Sequence, residues 1–323
     1  MIKVQPAYEA TKAFIRKEGW TGADGVYQHR IGPNVYWYFS DTFIGSVENG
    51  SRIPGYRMVH HSFGVAPLKN PFQINFIWPD EECIFRGIEE GYHWLLDGIQ
   101  FEQDFYLCAF RIVGFDQNFE VVGVDVFQIP IQNNKLLLRD YRQIALNQEV
   151  RIGGSRFSFG ISILDQRMKD GYIYVFGVDH EKEKHMVVYK TKNFLDEKER
   201  LYLGSYGWEQ NPQSLKSLAS PVANEFKVIY AGGNYHLVFS PGGISERIIY
   251  ANTADIELGF YDQKLIYRTP EYDQNRGIIS YNAKLQVVGD DWYISYHVNT
   301  FNNEDHVDAD IYHPRFLKII MRY

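Results

Sequence analysis

Two aspartates occupy unusual positions near the start of the chain. Asp24 lies in the glycine-rich turn GADG, and Asp41 directly follows the run YWYFS, which is typical of a buried strand. Asp-Gly is a common turn dipeptide, so both acids could simply cap loops. Two carboxyl groups brought to one cleft could instead act as the acid and the base, or nucleophile, of a catalysed reaction. The elements that position them decide between these interpretations.

Aromatic strands recur along the whole chain. Each is preceded by a turn containing Gly, Asn or Asp, as in hairpins, and is followed by further apolar runs such as HMVVYKTK and RIIYANT. The pattern predicts units of about sixty residues with three or four strands each, which is the organisation of propeller blades. The strands begin at Tyr36, Phe105, Tyr172, Tyr235 and Trp292, at intervals of 69, 67, 63 and 57 residues.

The sequence therefore predicts an all-β fold, a five-bladed β-propeller that forms a single domain over residues 1–323. Two β-sandwiches are the alternative, although they would not explain the repeat. Only EATKAFIRKE and NFLDEKERL are expected to form short helices. The expected blades span approximately residues 20–80, 92–150, 155–210, 218–270 and 278–323.

In a propeller the first strand of each blade lines a central channel. Alignment of these strands on their hairpins places polar residues at one level of that channel. Acids that converge in a partly buried site raise one another's pKa, which is how general acids arise. Asp24, Asp41, Asp97 and Glu225 are the candidate catalytic residues. At the same level lie Asn282 and, in the third blade, Ser162 or Asp165.

Several rings could contact a ligand beside these acids. Trp20, Trp94 and Tyr281 just precede channel positions and could stack on a substrate, although packing between blades explains them equally well. The pair His60–His61 follows the first blade's strands, and His61 is the candidate for lining the channel. An isolated surface pair is the alternative.

Polar residues near the end of the chain form the remaining candidates. Asn282, Asn299, Tyr312 and Arg315 could hydrogen-bond a substrate or support groups that do, although Arg315 could instead pair with an acid. EDHVDAD, residues 304–310, lacks the glycine and distal glutamate of an EF-hand loop and is interpreted as a solvated acidic loop. We expect neither a metal site nor a cofactor.

Composition limits the classes of partner. The net charge of −7 gives no electrostatic support to binding of nucleic acid or an anionic membrane.

Cys83 and Cys108 form no C-x-x-C motif and are expected to be buried thiols. The segment MIKVQPAYEATKAFIRKEG lacks an apolar signal sequence, which predicts a cytoplasmic protein if Met1 is the native start, and a secreted one if a signal peptide was removed. The oligomeric state is left open.

Motifs at both ends of the chain resemble a known family. GADGVY followed by YWYFSDTFIG resembles the first-blade signature of a five-bladed propeller family known mostly as domains of unknown function. SYNAKLQ, WYISYHVNT and YHPRF are similar to that family's last blade, and WLLDGI and GYIYVFGV extend a weaker similarity through the middle. One departure is His60-His61-Ser62, where the family pattern has an Asn-Ser pair.

The family is similar to endo-D-arabinanases, so the resemblance implies a glycoside hydrolase acting on an oligosaccharide, such as a furanoside. By the same resemblance, Asp24 and Asp41 correspond to the catalytic acids of that family. Because Asp24 lies near Trp20 and Asp41 is followed by Thr42, we interpret Asp24 as the general acid and Asp41 as the nucleophile or base. A non-catalytic carbohydrate-binding propeller is the main alternative. A glycoside phosphorylase is less favoured, because few arginines are available to bind phosphate.

Overall fold

A computed structural model of the chain describes residues 2–114, 118–180 and 183–321, and strands dominate these ranges. In chain order the strands are β1 (Ile2–Pro6), β2 (Glu18–Ala23), β3 (Tyr27–Ile31), β4 (Asn34–Phe39), β5 (Thr42–Glu48), β6 (Ser51–Arg52), β7 (Arg57–Val59), β8 (Ser62–Pro67), β9 (Asn75–Ile77), β10 (Tyr92–Phe101), β11 (Asp104–Val113), β12 (Glu120–Gln132), β13 (Lys135–Leu136), β14 (Arg142–Ile144), β15 (Glu149–Ile152), β16 (Ser155–Gln166), β17 (Tyr172–Asp179), β18 (Met186–Thr191), β19 (Leu201–Gly204), β20 (Gly207–Glu209), β21 (Lys227–Ala231), β22 (Asn234–Phe239), β23 (Arg247–Thr253), β24 (Lys264–Arg268), β25 (Ile278–Val288), β26 (Asp291–Thr300) and β27 (Pro314–Met321).

Helices are few and short. The α-helix α1 (Tyr8–Lys12) has no side-chain cap at its N-terminus, and a single uncapped turn depends on tertiary packing for its stability. No helix in the described ranges is long and apolar enough to cross a membrane. Short 3-10 turns cover Glu197–Glu199, Ile256–Leu258, Gln274–Arg276 and Asn303–Val307.

The strands form six antiparallel sheets within the described part of the chain. Sheet 1 has the order β3-β4-β8-β9, and sheet 2 the order β10-β11-β12, with β13 and β14 both paired to β12. Sheet 3 runs from β15 to β20 and sheet 4 from β21 to β24, each in chain order. Sheet 5 has the order β25-β26-β27-β1, so the N-terminal strand completes the C-terminal sheet. The accessory sheet contains β2, β5, β6 and β7.

The accessory sheet extends the hairpin of sheet 1. The chain passes from β2 into β3 through residues 24–26 and from β4 into β5 through residues 40–41. Ala23 pairs with Thr42 on one side of this break, and Tyr27 pairs with Tyr38 on the other. One long hairpin therefore changes sheets at the level of Asp24 and Asp41.

Five strands, which we call the inner strands, contact one another in succession: β3, β10, β16, β21 and β25. The succession returns to its start, because the side-chain amide of Gln28 in β3 donates to the Val287 carbonyl of β25 at 2.7 Å. Bulges interrupt three inner strands, between Leu95 and Gly98, Phe159 and Ser162, and Tyr281 and Lys284. A bulge redirects the neighbouring side chains, and here each one lies at the level predicted for the polar residues.

The predicted all-β class is confirmed, and so are the five aromatic strands, which are β4, β11, β17, β22 and β26, each paired with an inner strand. The two predicted helices are wrong in extent, since only α1 and the turn at Glu197–Glu199 are helical there. The fifth predicted blade, residues 278–323, also omitted β1, which pairs with β27 in the same sheet. Of the two cysteines, Cys108 is buried as expected, but Cys83 is partly exposed.

The N-terminal segment is fixed by one buried ring. Phe14 is fully buried and stacks on Phe316 of β27 with ring centroids 4.9 Å apart. It also contacts Trp37 and Phe39 of β4 edge-to-face, at 5.5 and 6.0 Å. Phe14 therefore joins the N-terminal segment to the first and last sheets.

We expect Phe14→Ala to lower the free energy of unfolding by about 3–5 kcal/mol, the usual cost of removing a buried phenylalanine. Urea denaturation followed by far-UV circular dichroism measures this change. Ile15→Ala is the matched control, because the neighbouring Ile15 is exposed and its removal should have little effect. Equal losses in the two variants would contradict the role given to Phe14.

Candidate active site

Asp24 and Asp41 lie opposite each other in the long hairpin. The backbone N–H of Asp24 donates to the Asp41 carbonyl at 3.2 Å, and the N–H of Ser40 donates to the Asp24 carbonyl at 3.0 Å. Gly25 allows this approach, since it has φ +63° and a Cβ there would lie 2.5 Å from Oγ of Ser40. The sequence prediction that both acids reach the same end of one hairpin agrees with this geometry.

Asp24 has two different carboxyl oxygens. Oδ2 accepts hydrogen bonds from the hydroxyls of Tyr281 at 2.9 Å and Tyr312 at 3.2 Å. Oδ1 is buried and has no hydrogen-bond partner among the described residues. Burial raises the pKa of Asp24 well above its usual value, and the nearby charges of Asp41 and Glu225 raise it further, while the tyrosine hydrogen bonds oppose the shift. A proton on this carboxyl therefore belongs on Oδ1, because Oδ2 already accepts two bonds.

Asp41 has a hydrogen-bonding partner at each carboxyl oxygen. The indole N–H of Trp94 donates to Oδ2 at 2.9 Å, and Nδ1 of His60 lies 3.2 Å from Oδ1. An indole N–H can only donate, so Oδ2 of Asp41 acts as an acceptor. The side chain remains 13% exposed. The pair thus consists of one carboxyl arranged to carry a proton and one arranged to accept hydrogen bonds.

Glu225 precedes β21 and contributes the third acid. Its Oε1 accepts from the side-chain amide of Asn282 at 2.9 Å, and its Oε2 forms an ion pair with Lys284. Lys284 is fully buried, and its ammonium also lies 3.8 Å from the ring centroid of Tyr27. Burial lowers the pKa of Lys284, while the charge of Glu225 opposes that shift. Glu225 is therefore a paired charge close to Asp24, and Lys284 and Asn282 fix its position.

Asp97 is not available to a substrate. It is fully buried, and its oxygens accept hydrogen bonds from the N–H groups of Gly98 at 3.0 Å and Ile163 at 2.6 Å. It also forms an ion pair with Lys227. The contacts of Asp97 give it a structural position, in which its carboxylate links inner strands β10, β16 and β21, and they lend no support to its predicted catalytic role.

The two candidates from the third unit, Ser162 and Asp165, lie apart from the acids around Asp24. Ser162 is buried, and its Oγ accepts the backbone N–H of Val228 at 3.0 Å. Asp165 lies near the far end of β16, where it pairs with Arg167. Neither residue joins the cluster around Asp24.

Two of the predicted ligand-binding rings belong to the core. Trp20 is 1% exposed, stacks on Phe76 at 4.4 Å and donates to Ser62, so its predicted contact with substrate is wrong. His61 is fully buried, and its Nε2 accepts the N–H groups of residues 84 and 85. Burial lowers the pKa of His61 to about 3. The preceding His60, which lies with His61 in the link between β7 and β8, reaches Asp41 instead.

The other predicted residues lie at increasing distance from the acids. Tyr312 contacts Asp24 directly, and Asn282 contacts Glu225. Asn299 accepts a hydrogen bond from the His306 ring, which packs against Tyr312 with centroids 5.6 Å apart. Arg315 binds Glu271, Asp310 and His313, which corresponds to its alternative structural role.

Sequence reasoning missed the two lysines of the site. Lys227 and Lys284 each stand on an inner strand, two residues after Glu225 and Asn282 respectively. A lysine within an otherwise apolar strand was the available signal, since buried lysines require an anionic partner. In the described ranges no group of three or more His, Cys, Asp or Glu residues could hold a metal ion.

The family model described as a domain of unknown function, DUF5005, matches residues 8–321. The chain belongs to this family. None of the curated protein sequences matches it.

Solved structures share the fold over nearly the whole chain. A Bacteroides ovatus protein described as a "putative hydrolase" has a TM-score of 0.74 and 16% identity, and the match covers 99% of this chain and 90% of the other. The GH43_1 enzyme from Xanthomonas citri, complexed with xylotriose, has a TM-score of 0.53 and 12% identity, covering 97% and 91%. An exo-1,5-alpha-L-arabinanase from a bovine ruminal metagenomic library has a TM-score of 0.52 and 8% identity, covering 94% of each chain. At such identities the likeness establishes the fold.

We expect Asp24→Asn to stabilise the folded protein increasingly as pH rises from about 4, near the ordinary pKa of 3.8. The folded state holds the Asp24 proton more tightly than the unfolded state. The contribution of this proton to the free energy of unfolding is therefore fully present at low pH. It is lost as pH rises through the raised pKa of Asp24. An asparagine side chain does not titrate, so the variant does not lose this stability as pH rises. Its side-chain carbonyl can still accept the hydrogen bonds from the two tyrosines.

Thermal unfolding of both proteins between pH 4 and 8 measures the difference. Asp290→Asn, in an exposed turn, controls for the loss of one carboxyl group. A lower melting temperature of Asp24→Asn at every pH would show that the carboxylate stabilises the fold and is not a strained functional group.

Proposed function

We propose that this protein is a glycoside hydrolase in which Asp24 is the general acid and Asp41 the base or nucleophile. The observation that carries the proposal is the difference between the two carboxyls. Asp24 has an unpaired buried oxygen and a raised pKa, whereas Asp41 accepts a bond from an indole donor. Glycoside hydrolysis needs one protonated and one ionised carboxyl on either side of the scissile bond.

We further propose that sheets 1 to 5 are the five blades of a propeller. The cyclic contacts of the inner strands and the pairing of β1 with β27 support this arrangement. In this interpretation the accessory sheet is an extension of the first blade above the channel. The hairpin break then delivers Asp24 and Asp41 to the channel entrance.

The chemistry follows from the two oxygens and their neighbours. Oδ1 of Asp24 would give its proton to the glycosidic oxygen as the bond to the anomeric carbon breaks. Asp41 would either remove a proton from the attacking water or attack the anomeric carbon itself, and the separation of the carboxyls decides which. Trp94 and His60 hold Asp41 in place, and Tyr281 and Tyr312 orient Asp24.

The substrate proposed is an oligosaccharide. The neighbouring structures include the enzyme complexed with xylotriose, the arabinanase, and an exo-beta-1,3-galactanase complexed with beta-1,3-galactotriose. An arabinofuranoside is the first candidate, and xylosides and galactosides complete the panel. The products should be separated by chain length to distinguish endo from exo action.

Activated substrates separate the two roles. We expect Asp24→Ala to lose about 10²–10⁴ of its rate on a natural oligosaccharide, the usual contribution of proton transfer. It should retain much of its rate on aryl glycosides whose leaving group needs no proton. Asp41→Ala should lose activity on both kinds of substrate. Steady-state kinetics on the two substrates measures the contrast.

The reverse pattern would exchange the two roles. Wild-type levels of activity in both variants would exclude this pair from catalysis. A wild-type protein that binds these oligosaccharides but hydrolyses none of them would favour the non-catalytic carbohydrate-binding propeller.

We expect Glu225→Gln to move the alkaline limb of the pH–rate profile to lower pH. The charge of Glu225 helps to raise the pKa of Asp24, so its removal lets the acid lose its proton sooner. Because this variant leaves Lys284 buried without a partner, Glu225→Gln/Lys284→Met is the companion variant. Removing both charges should return the limb toward the wild-type position. An unmoved limb in Glu225→Gln would show that Glu225 does not act on Asp24.

A further inference from the structure

Four rings form a continuous series that starts at Asp41. We call His60, Tyr92, Trp94 and Phe119 the aromatic ladder. His60 stacks on Tyr92 with centroids 4.0 Å apart, Tyr92 meets Trp94 at 6.3 Å, and Trp94 meets Phe119 at 4.7 Å. Two members of the ladder, His60 and Trp94, also hold the carboxylate of Asp41.

The ladder leads from the candidate active site to the surface. Tyr92 and Trp94 lie two residues apart on β10, so their side chains share one face of the strand. His93, which lies between them, is buried on the other side. Phe119 ends the series and is 44% exposed, a large apolar side chain left open to solvent beside a polar site.

An exposed aromatic ring is common on protein surfaces and by itself indicates nothing. Phe119 differs because it packs on a tryptophan whose N–H is already bonded to a candidate catalytic group. The apolar surface is therefore continuous with the site through the contacts of Phe119 with Trp94 and of Trp94 with Tyr92. Sites of this kind, with apolar walls and a few convergent polar groups, bind small molecules.

We propose that Trp94 and Phe119 form a subsite that binds one additional sugar unit of the substrate chain, on the Asp41 side of the scissile bond. This inference rests on the proposed function. The C–H face of a sugar ring would cover the exposed ring of Phe119 and the accessible part of the partly buried Trp94, while its hydroxyls remain in solvent. The subsite would therefore favour chains of three or more units over shorter ones.

Binding to a protein that cannot turn over its ligand provides the test. Asp24→Asn and Asp24→Asn/Phe119→Ala would be titrated calorimetrically with di- and trisaccharides of arabinose, xylose and β-1,3-linked galactose. We expect a trisaccharide to bind Asp24→Asn more tightly than its disaccharide does. Phe119→Ala should weaken trisaccharide binding by about tenfold, as for the loss of one good aromatic contact, and should weaken disaccharide binding much less.

The control is Tyr206→Ala in the same background, because Tyr206 is a fully exposed ring in a turn of sheet 3. It should change neither affinity. Equal weakening of both chain lengths by Phe119→Ala, no weakening, or no binding of any trisaccharide would overturn the subsite. A length-dependent loss in Phe119→Ala combined with a wild-type protein that hydrolyses none of these sugars would retain the subsite and reject the hydrolase.

Discussion

The cost of burying carboxylates next to one another shapes the centre of this molecule. Four acids converge there, and anions cannot be withdrawn from water together unless each has a partner. Asp97 is neutralised by Lys227 and Glu225 by Lys284, while Asp41 has an indole donor. Asp24 accepts from two neutral tyrosine hydroxyls, and the charges of two carboxylates raise its pKa, so the folded protein favours a proton on this carboxyl. The acid that we propose as the proton donor is thus the one of the four to which the described residues supply neither a cation nor an indole N–H.

Much of the architecture could be predicted from the sequence because its signals are local. Aromatic runs behind turns that contain Gly, Asn or Asp predict the strand that pairs with the inner strand in sheets 1 to 5. Most of the polar positions near the inner strands are then found by counting back from that turn. Which acids are neutralised by a cation could not be predicted in the same way. Asp97 is neutralised by Lys227, which lies 130 residues later along the chain. A lysine on an inner strand indicates that an anionic partner is needed, but the sequence pattern does not show which acid it will meet.

Errors at single positions have a similarly physical origin. His60 and His61 are adjacent in the short link between β7 and β8, yet the first ring contacts Asp41 and the second enters the core. Trp20 lies beside the site in sequence, but the accessory sheet directs its ring onto Phe76, away from any ligand. Both outcomes depend on where a strand begins or a hairpin changes sheets, and sequence patterns locate such boundaries only to within a few residues.

The site also depends on the meeting of the two ends of the chain. Asp24 belongs to the first hairpin, but the hydroxyls that orient it come from Tyr281 and Tyr312, 257 and 288 residues later. The same junction contains the stacking of Phe14 on Phe316 and the pairing of β1 with β27. Bringing residues so far apart in sequence together costs conformational entropy, which the packing at this junction must offset. The proton of Asp24 is therefore held by residues from both ends of the chain, and the acid acquires its properties only when the N-terminal and C-terminal segments have joined.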